Sequence, residues 1–205
     1  MNFLAHSYLS KKSDEAIIGN IIADFVKGRL KDQYPKAILE GVSFHRKIDG
    51  YTDSHPLFIS CKQYISEKNR RFSGAILDIF FDHFLSLHWN RYCDTPIEEY
   101  SQNIYSILES SKPILPEQFQ QILPRMIKNN WFVAYAKVKV IGYALENISS
   151  RISRKNHVAE SINDLKKNYK GIEKNFFIFF EDLKKYALSL QKEDDLQGSY
   201  TTLQK

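Results

Sequence analysis

Glycine and cysteine are both sparse in this chain of 205 residues, with eight glycines and two cysteines. Few glycines leave little material for tight turns, so long regular elements are expected. Cys61 and Cys93 show no metal-site spacing and no disulfide framework, which suits a reducing compartment, and neither is a good nucleophile candidate. No apolar run is long enough to cross a bilayer, and "MNFLAHSYLS" does not read as a charged-then-apolar leader, so a cytoplasmic protein with no membrane partner is expected. Also missing are a Gly-rich phosphate loop, a serine nucleophile elbow and any Glu-x-x-His, which removes nucleotide-triphosphatase, serine-hydrolase and helical di-iron readings.

What is present is helical. Apolar residues recur at spacings of three and four, as in Ile17, Ile18, Ile21, Ile22 and Phe25, and again in Ile172, Phe176, Phe179, Phe180 and Leu183. No stretch alternates convincingly as a strand. The pattern predicts an all-α fold with helices near 2–10, 14–28, 35–50, 57–70, 73–92, 96–110, 115–128, 131–150 and 156–190. Pro35, Pro56, Pro96 and Pro116 stand at helix starts, and Ser13, Ser73 and Thr95 are placed as N-caps. With no internal repeat or linker, residues 1–190 read as a single helical domain, and the polar 191–205 as a flexible tail.

The formal net charge is +5, and residues 137–185 alone hold eleven Lys/Arg against six Asp/Glu. Such a surplus speeds encounters with acidic partners, although a solvated lysine-rich helix face gives the same count. RNA is disfavoured, because aromatics among the basic residues, as in "NFFIFFEDL", fall at core spacing and not on an exposed stacking platform.

Polar residues in apolar surroundings concentrate near the start of the chain. Five of the six histidines, His6, His45, His55, His83 and His88, lie in the first 88 residues. In "IIGNIIADFVKG", Asn20 and Asp24 are four apart and share a face, with isoleucines around the rest of the circumference. In "FHRKIDGYTD", His45 and Asp49 also share a face, suited to a metal or a phosphate. Arg46 stands about 100° round from His45, where it could clamp phosphate oxygens. Asp53 either extends that face or caps the next helix. In "LDIFFDHFLSLHW", Asp78 and Asp82 stack, Asp82 being the stronger ligand candidate, while His83 points elsewhere. His6 and His88, each taken alone, read more readily as satisfied core histidines.

Desolvation penalises each of these groups separately unless they converge on charge of opposite sign. A divalent cation is the economical centre. Mixed N and O ligands suit Mn²⁺, Fe²⁺, Zn²⁺ or Mg²⁺, and such an ion would acidify a bound water for attack on a phosphate ester.

Taken in order and spacing, "MNFLAHSYLS", "GNIIADFVKGR", "FHRKIDGYTD" and "LDIFFDHFLSLHW" resemble the acyl carrier protein phosphodiesterase family, most strongly over residues 1–90. The resemblance implies an α-helical fold related to the His-Asp metal-dependent phosphohydrolases. It implies hydrolysis of 4′-phosphopantetheine from the serine of holo-acyl carrier protein, with Mn²⁺ the most natural cofactor, and it gives the basic surplus an acidic partner. Residues 67–72, "EKNRRF", and the 151–174 region are candidate docks. The adjacent His-Asp dipeptide of the wider superfamily is absent, the nearest element being the reversed Asp82-His83. The expected roles are therefore placed on motif positions: Asp24, His45 and Asp82 as metal ligands, Asp49 completing the shell, Arg46 holding phosphate, and His6 or His83 protonating the departing serine. A mainly monomeric enzyme is expected. Two rivals remain: a related phosphohydrolase of a nucleotide or other small phosphate ester, and a non-catalytic helical module that binds an acidic protein.

Overall fold

The computed structural model describes residues 2–11, 13–27 and 34–202, with side chains described as far as residue 193. Gly28 and Arg29 of the second motif, and residues 203–205 of the expected tail, lie outside the described residues. The described residues are all-α, without strands. Ten helices run α1 (Phe3–Leu9), α2 (Asp14–Ile22), α3 (Lys36–Ser54), α4 (Pro56–Cys61), α5 (Ser73–Leu87), α6 (Ile97–Ser110), α7 (Glu117–Lys128), α8 (Trp131–Ala134), α9 (Val138–Arg151) and α10 (Ile162–Thr202).

Helix α5 is the central strut. It is apolar around nearly its whole circumference, and Ile76, Leu77, Phe80, Phe81, Phe84 and Leu85 are all fully buried, as such a helix requires. Phe81 meets the Phe58, Phe176 and Phe179 rings at centroid distances of 5.6, 5.5 and 5.2 Å, tying α4 and α10 to it. Each such phenylalanine contributes about 1.5–3 kcal/mol through burial.

The polar residues of α5 answer the ends of two short helices. The Asp82 carboxylate accepts backbone N–H groups of Asn2, Leu4 and Ala5 at 3.3, 3.0 and 3.4 Å, where α1 begins and its first amides have no partner within the helix. At the C-terminal end of α8, Ser86 donates to the Phe132 carbonyl at 2.6 Å and His83 Nδ1 to that of Tyr135 at 2.7 Å.

Helices α2 and α3 cross almost backbone to backbone. A Cβ at Gly19 would collide with the Ile38 carbonyl, and one at Gly41 with that of Ala16. These two glycines permit the close approach that carries His45, one turn beyond Gly41, against Asn20.

Several boundaries differ from the sequence pattern because tertiary hydrogen bonds take over backbone groups. The helix expected over 57–70 ends at Cys61 and continues as two 3₁₀ segments, Lys62–Tyr64 and Glu67–Phe72. Here Asn168 donates to the Tyr64 carbonyl at 3.0 Å, and Asp164 accepts from the Ser66 amide at 3.1 Å. The helix expected over 131–150 breaks at Lys137, whose backbone is extended. Helix α3 continues through Gly50 to Ser54, so Asp53 is exposed in its last turn and His55 caps α4 instead, accepting from the Leu57 amide at 3.2 Å. Ser13 caps α2 through the Ala16 amide at 3.2 Å, but Ser73 is already helical and Pro96, not Thr95, stands at the cap of α6. The last helix runs on to Thr202, into the segment read as a polar tail.

Candidate metal centre

Three helices bring four titratable side chains together. His6 comes from α1, Asp24 from the 3₁₀ turn Ala23–Phe25 that continues α2, and His45 and Asp49 from one face of α3. The two imidazoles are buried and stacked, with ring centroids 3.7 Å apart and planes 13° from parallel.

Asn20 of α2 sets both tautomers. Its side-chain amide donates to the His6 carbonyl at 2.7 Å, which turns its Oδ1 towards His6 Nδ1 at 3.0 Å. Its backbone carbonyl lies 2.7 Å from His45 Nδ1. Both partners only accept, so each Nδ1 carries the proton and each Nε2 lone pair is left over. Those lone pairs point at carboxylates: His6 Nε2 lies 3.2 Å from Asp49 Oδ1, and His45 Nε2 lies 3.0 Å from Asp49 Oδ2 and 3.4 Å from Asp24 Oδ1. Both Nε2 atoms are buried without an aligned hydrogen bond.

Two lone pairs facing carboxylates need protons or a cation between them. Burial lowers the His6 pKa to about 4, assisted by charge on His45. Burial opposes charge on His45 as well, but the facing carboxylates of Asp24 and Asp49 outweigh it and raise its pKa to about 9. Asp49 is held well below the usual carboxylate range, because His45 and His6 overcome the cost of its burial. Asp24 is lowered chiefly by its pairing with His45. Without a metal, then, one proton is held on His45 and His6 stays neutral.

His6, His45 and Asp49 each offer a ligand atom, all within 4.8 Å of one another, which fits a divalent cation bound through two neutral imidazoles and a carboxylate. Asp24 stands at the rim, with 70% of its side chain exposed.

Other sequence candidates stand elsewhere. Asp82 is not at the cluster: its oxygens serve the α1 amides, and burial, offset in part by those N–H groups, raises its pKa to about 7. By holding the start of α1, it positions His6 one turn along. His83 has both nitrogens engaged, by the Tyr135 carbonyl and by the Tyr169 hydroxyl at 2.8 Å, so it has no free valence for an acid role at the cluster. Arg46 is exposed on α3 beside His45. His88 pairs with Glu173 at 2.7 Å. The residue missed as a site component is Asn20. Its sharing a face with Asp24 was legible, but the role of its own backbone carbonyl was not.

A family profile described as acyl carrier protein phosphodiesterase matches residues 1–183. The chain belongs to the acyl carrier protein phosphodiesterase family. Among curated relatives bearing that name, the Photorhabdus laumondii protein is 33% identical over 181 residues, covering 88% of this chain and 91% of the relative. The Serratia proteamaculans protein is 32% identical over 192 residues, covering 93% of this chain and the whole of the relative. The Escherichia coli O6:H1 protein is 30% identical over 188 residues, 91% and 97% of the two chains. No solved structure matches the chain. Among the described residues no helix is long and apolar enough to cross a membrane.

Proposed function

We propose that this chain hydrolyses the phosphodiester joining 4′-phosphopantetheine to the serine of holo-acyl carrier protein, with a divalent cation, most naturally Mn²⁺, held by His6, His45 and Asp49. Apo-carrier and free 4′-phosphopantetheine are the products. The carrying observation is the pair of stacked imidazoles whose Nδ1–H groups are tied to Asn20 while both Nε2 lone pairs converge on Asp49. The family's name supplies the substrate.

When bound, the cation would supply Lewis acidity, lowering the pKa of water and drawing charge from the phosphoryl oxygens. The remaining work falls to side chains. Asn20 fixes the ligand tautomers, and Asp82 fixes the helix that carries His6. Asp24, exposed beside His45, accepts a proton from an attacking water. Arg46, in the turn before Asp49 on α3, binds non-bridging phosphate oxygens through its planar fork. His6 thereby moves from the acid role expected of it to a ligand role. Asp53, one turn beyond Asp49 on α3, lines a cavity of about 850 Å³ together with Lys62, Arg70 and Arg71. The cations of this cavity suit the acidic surface of a carrier protein.

The test is incubation of the purified protein with holo-acyl carrier protein and Mn²⁺, with and without a chelator, followed by intact mass measurement of the carrier. Metal-dependent loss of the phosphopantetheine mass supports the proposal. An unchanged carrier, together with hydrolysis of a small phosphodiester, would overturn the substrate assignment.

A further inference from the structure

A second cavity of about 600 Å³ opens between the start of α1, the turn after α2, and α7 to α9. Its walls are mainly apolar, with Phe3, Phe25, Trp131, Val140 and Ile148 lining it beside the amides of Asn2, Asn129 and Asn147. Phe3 and Phe25 stack with centroids 6.3 Å apart, and both rest on the buried Phe119, which fixes that wall. The volume lies within the ~300–1,000 Å³ typical of pockets for small ligands. Two of the lining residues are arginines, Arg125 in the last turn of α7 and Arg151 in the last turn of α9. Both are exposed, and neither forms an ion pair with a described carboxylate.

A mainly apolar chamber with two uncompensated guanidinium groups in its lining matches one ligand chemistry, an alkyl tail ending in an anionic head. A neutral apolar ligand would leave the exposed arginines paired only with water, and a compact polar anion would leave the aromatic walls facing water. We infer that this cavity binds a free long-chain carboxylate, its tail against Phe3, Phe25 and Trp131 and its carboxylate bonded to Arg125 and Arg151. The inference is independent of the proposed hydrolysis, since none of these residues belongs to the His6, His45 and Asp49 set.

The experiment is calorimetric titration of the full chain with straight-chain carboxylates of six to twelve carbons, below their micelle concentrations, and with the matching alcohols. Affinity should rise about three- to fourfold per added methylene, the step expected for burying one such group. Each carboxylate should bind about tenfold more tightly than its alcohol at low salt. The double variant Arg125→Gln/Arg151→Gln, at exposed positions, should erase the advantage of the carboxylate and keep that of chain length. Ala144→Trp, which fills the chamber from α9, should abolish both. Absence of saturable binding by dodecanoate, affinity independent of chain length, or an undiminished carboxylate preference in the double variant would each overturn the inference. So would an Ala144→Trp protein that binds dodecanoate normally but has a raised KM for long-chain acyl-loaded carrier, which would assign the chamber to the substrate's acyl group.

Discussion

Replacing Asp82 by alanine separates a structural carboxylate from a metal ligand. The side chain is buried and accepts three amides at the start of α1, at 3.0, 3.3 and 3.4 Å. Losing a helix cap costs about 0.5–2 kcal/mol, and hydrogen bonds to a charged acceptor are worth about 1.5–3 kcal/mol each in favourable geometry. Only the Leu4 bond is short and the acceptor is costly to bury, so a net loss of about 2–4 kcal/mol is expected, within the range of a severe single substitution. For a chain of this size, about 2–4 °C per kcal/mol places the fall in Tm near 4–16 °C. The assay, run at pH 8 so that Asp82 with its pKa raised to about 7 is mostly ionised, is thermal and urea unfolding of the chelator-treated protein, followed by Mn²⁺ titration under conditions where the variant is folded. Destabilisation should be full-sized without metal, and metal affinity should fall only modestly, through a less firmly held His6. A variant as stable as the parent without metal, yet unable to bind it, would refute the reasoning and return Asp82 to the ligand set.

Asn20→Ala removes the acceptor of His6 Nδ1 and the donor to the His6 carbonyl; metal affinity should fall about 10–100-fold, read by Mn²⁺ titration, and an unchanged affinity would contradict the tautomer argument. The metal-free protein should lose stability as pH rises above about 6.5. Below that, His6, with its pKa lowered to about 4, gains stability with rising pH while Asp82, with its pKa raised to about 7, loses it, so the two offset each other between pH 4 and 6.5. Above pH 6.5, His45, with its pKa raised to about 9, must give up its proton, so stability falls as pH rises from 6.5 through 9, and urea midpoints across pH measure both ranges. Gly41→Ala drives a methyl group into the Ala16 carbonyl and should cost about 1–3 kcal/mol or more, with metal binding weakened as α3 is pushed off Asn20; a neutral effect on both would show that the helix crossing is not what places His45.

The helical class was legible in the sequence because apolar spacing is a local property, and α2, α5 and α10 show it over several turns. Boundaries failed where distant side chains claimed backbone groups, as Asn168 does at Tyr64 and His83 at Tyr135. The pairing of His45 with Asp49 was readable, since four residues of one helix determine it. Asp82 was not, because a carboxylate in an apolar run looks the same whether it awaits a cation or the amides of a helix 78 residues away. His6 showed the converse. A lone imidazole in "NFLAHSYL" becomes informative only when the α2–α3 crossing at Gly19 and Gly41 brings Asn20 and His45 against it.

The most direct test of the central claim is a Mn²⁺ titration at pH 7.5, followed by the loss of the free-ion paramagnetic resonance signal, on the parent protein and on His45→Ala and Asp49→Ala. The account predicts saturable binding by the parent, with release of the proton held on His45, and binding weakened at least 100-fold in each variant while the far-ultraviolet dichroism stays helical. Undiminished binding in both variants would place the cation elsewhere and contradict it.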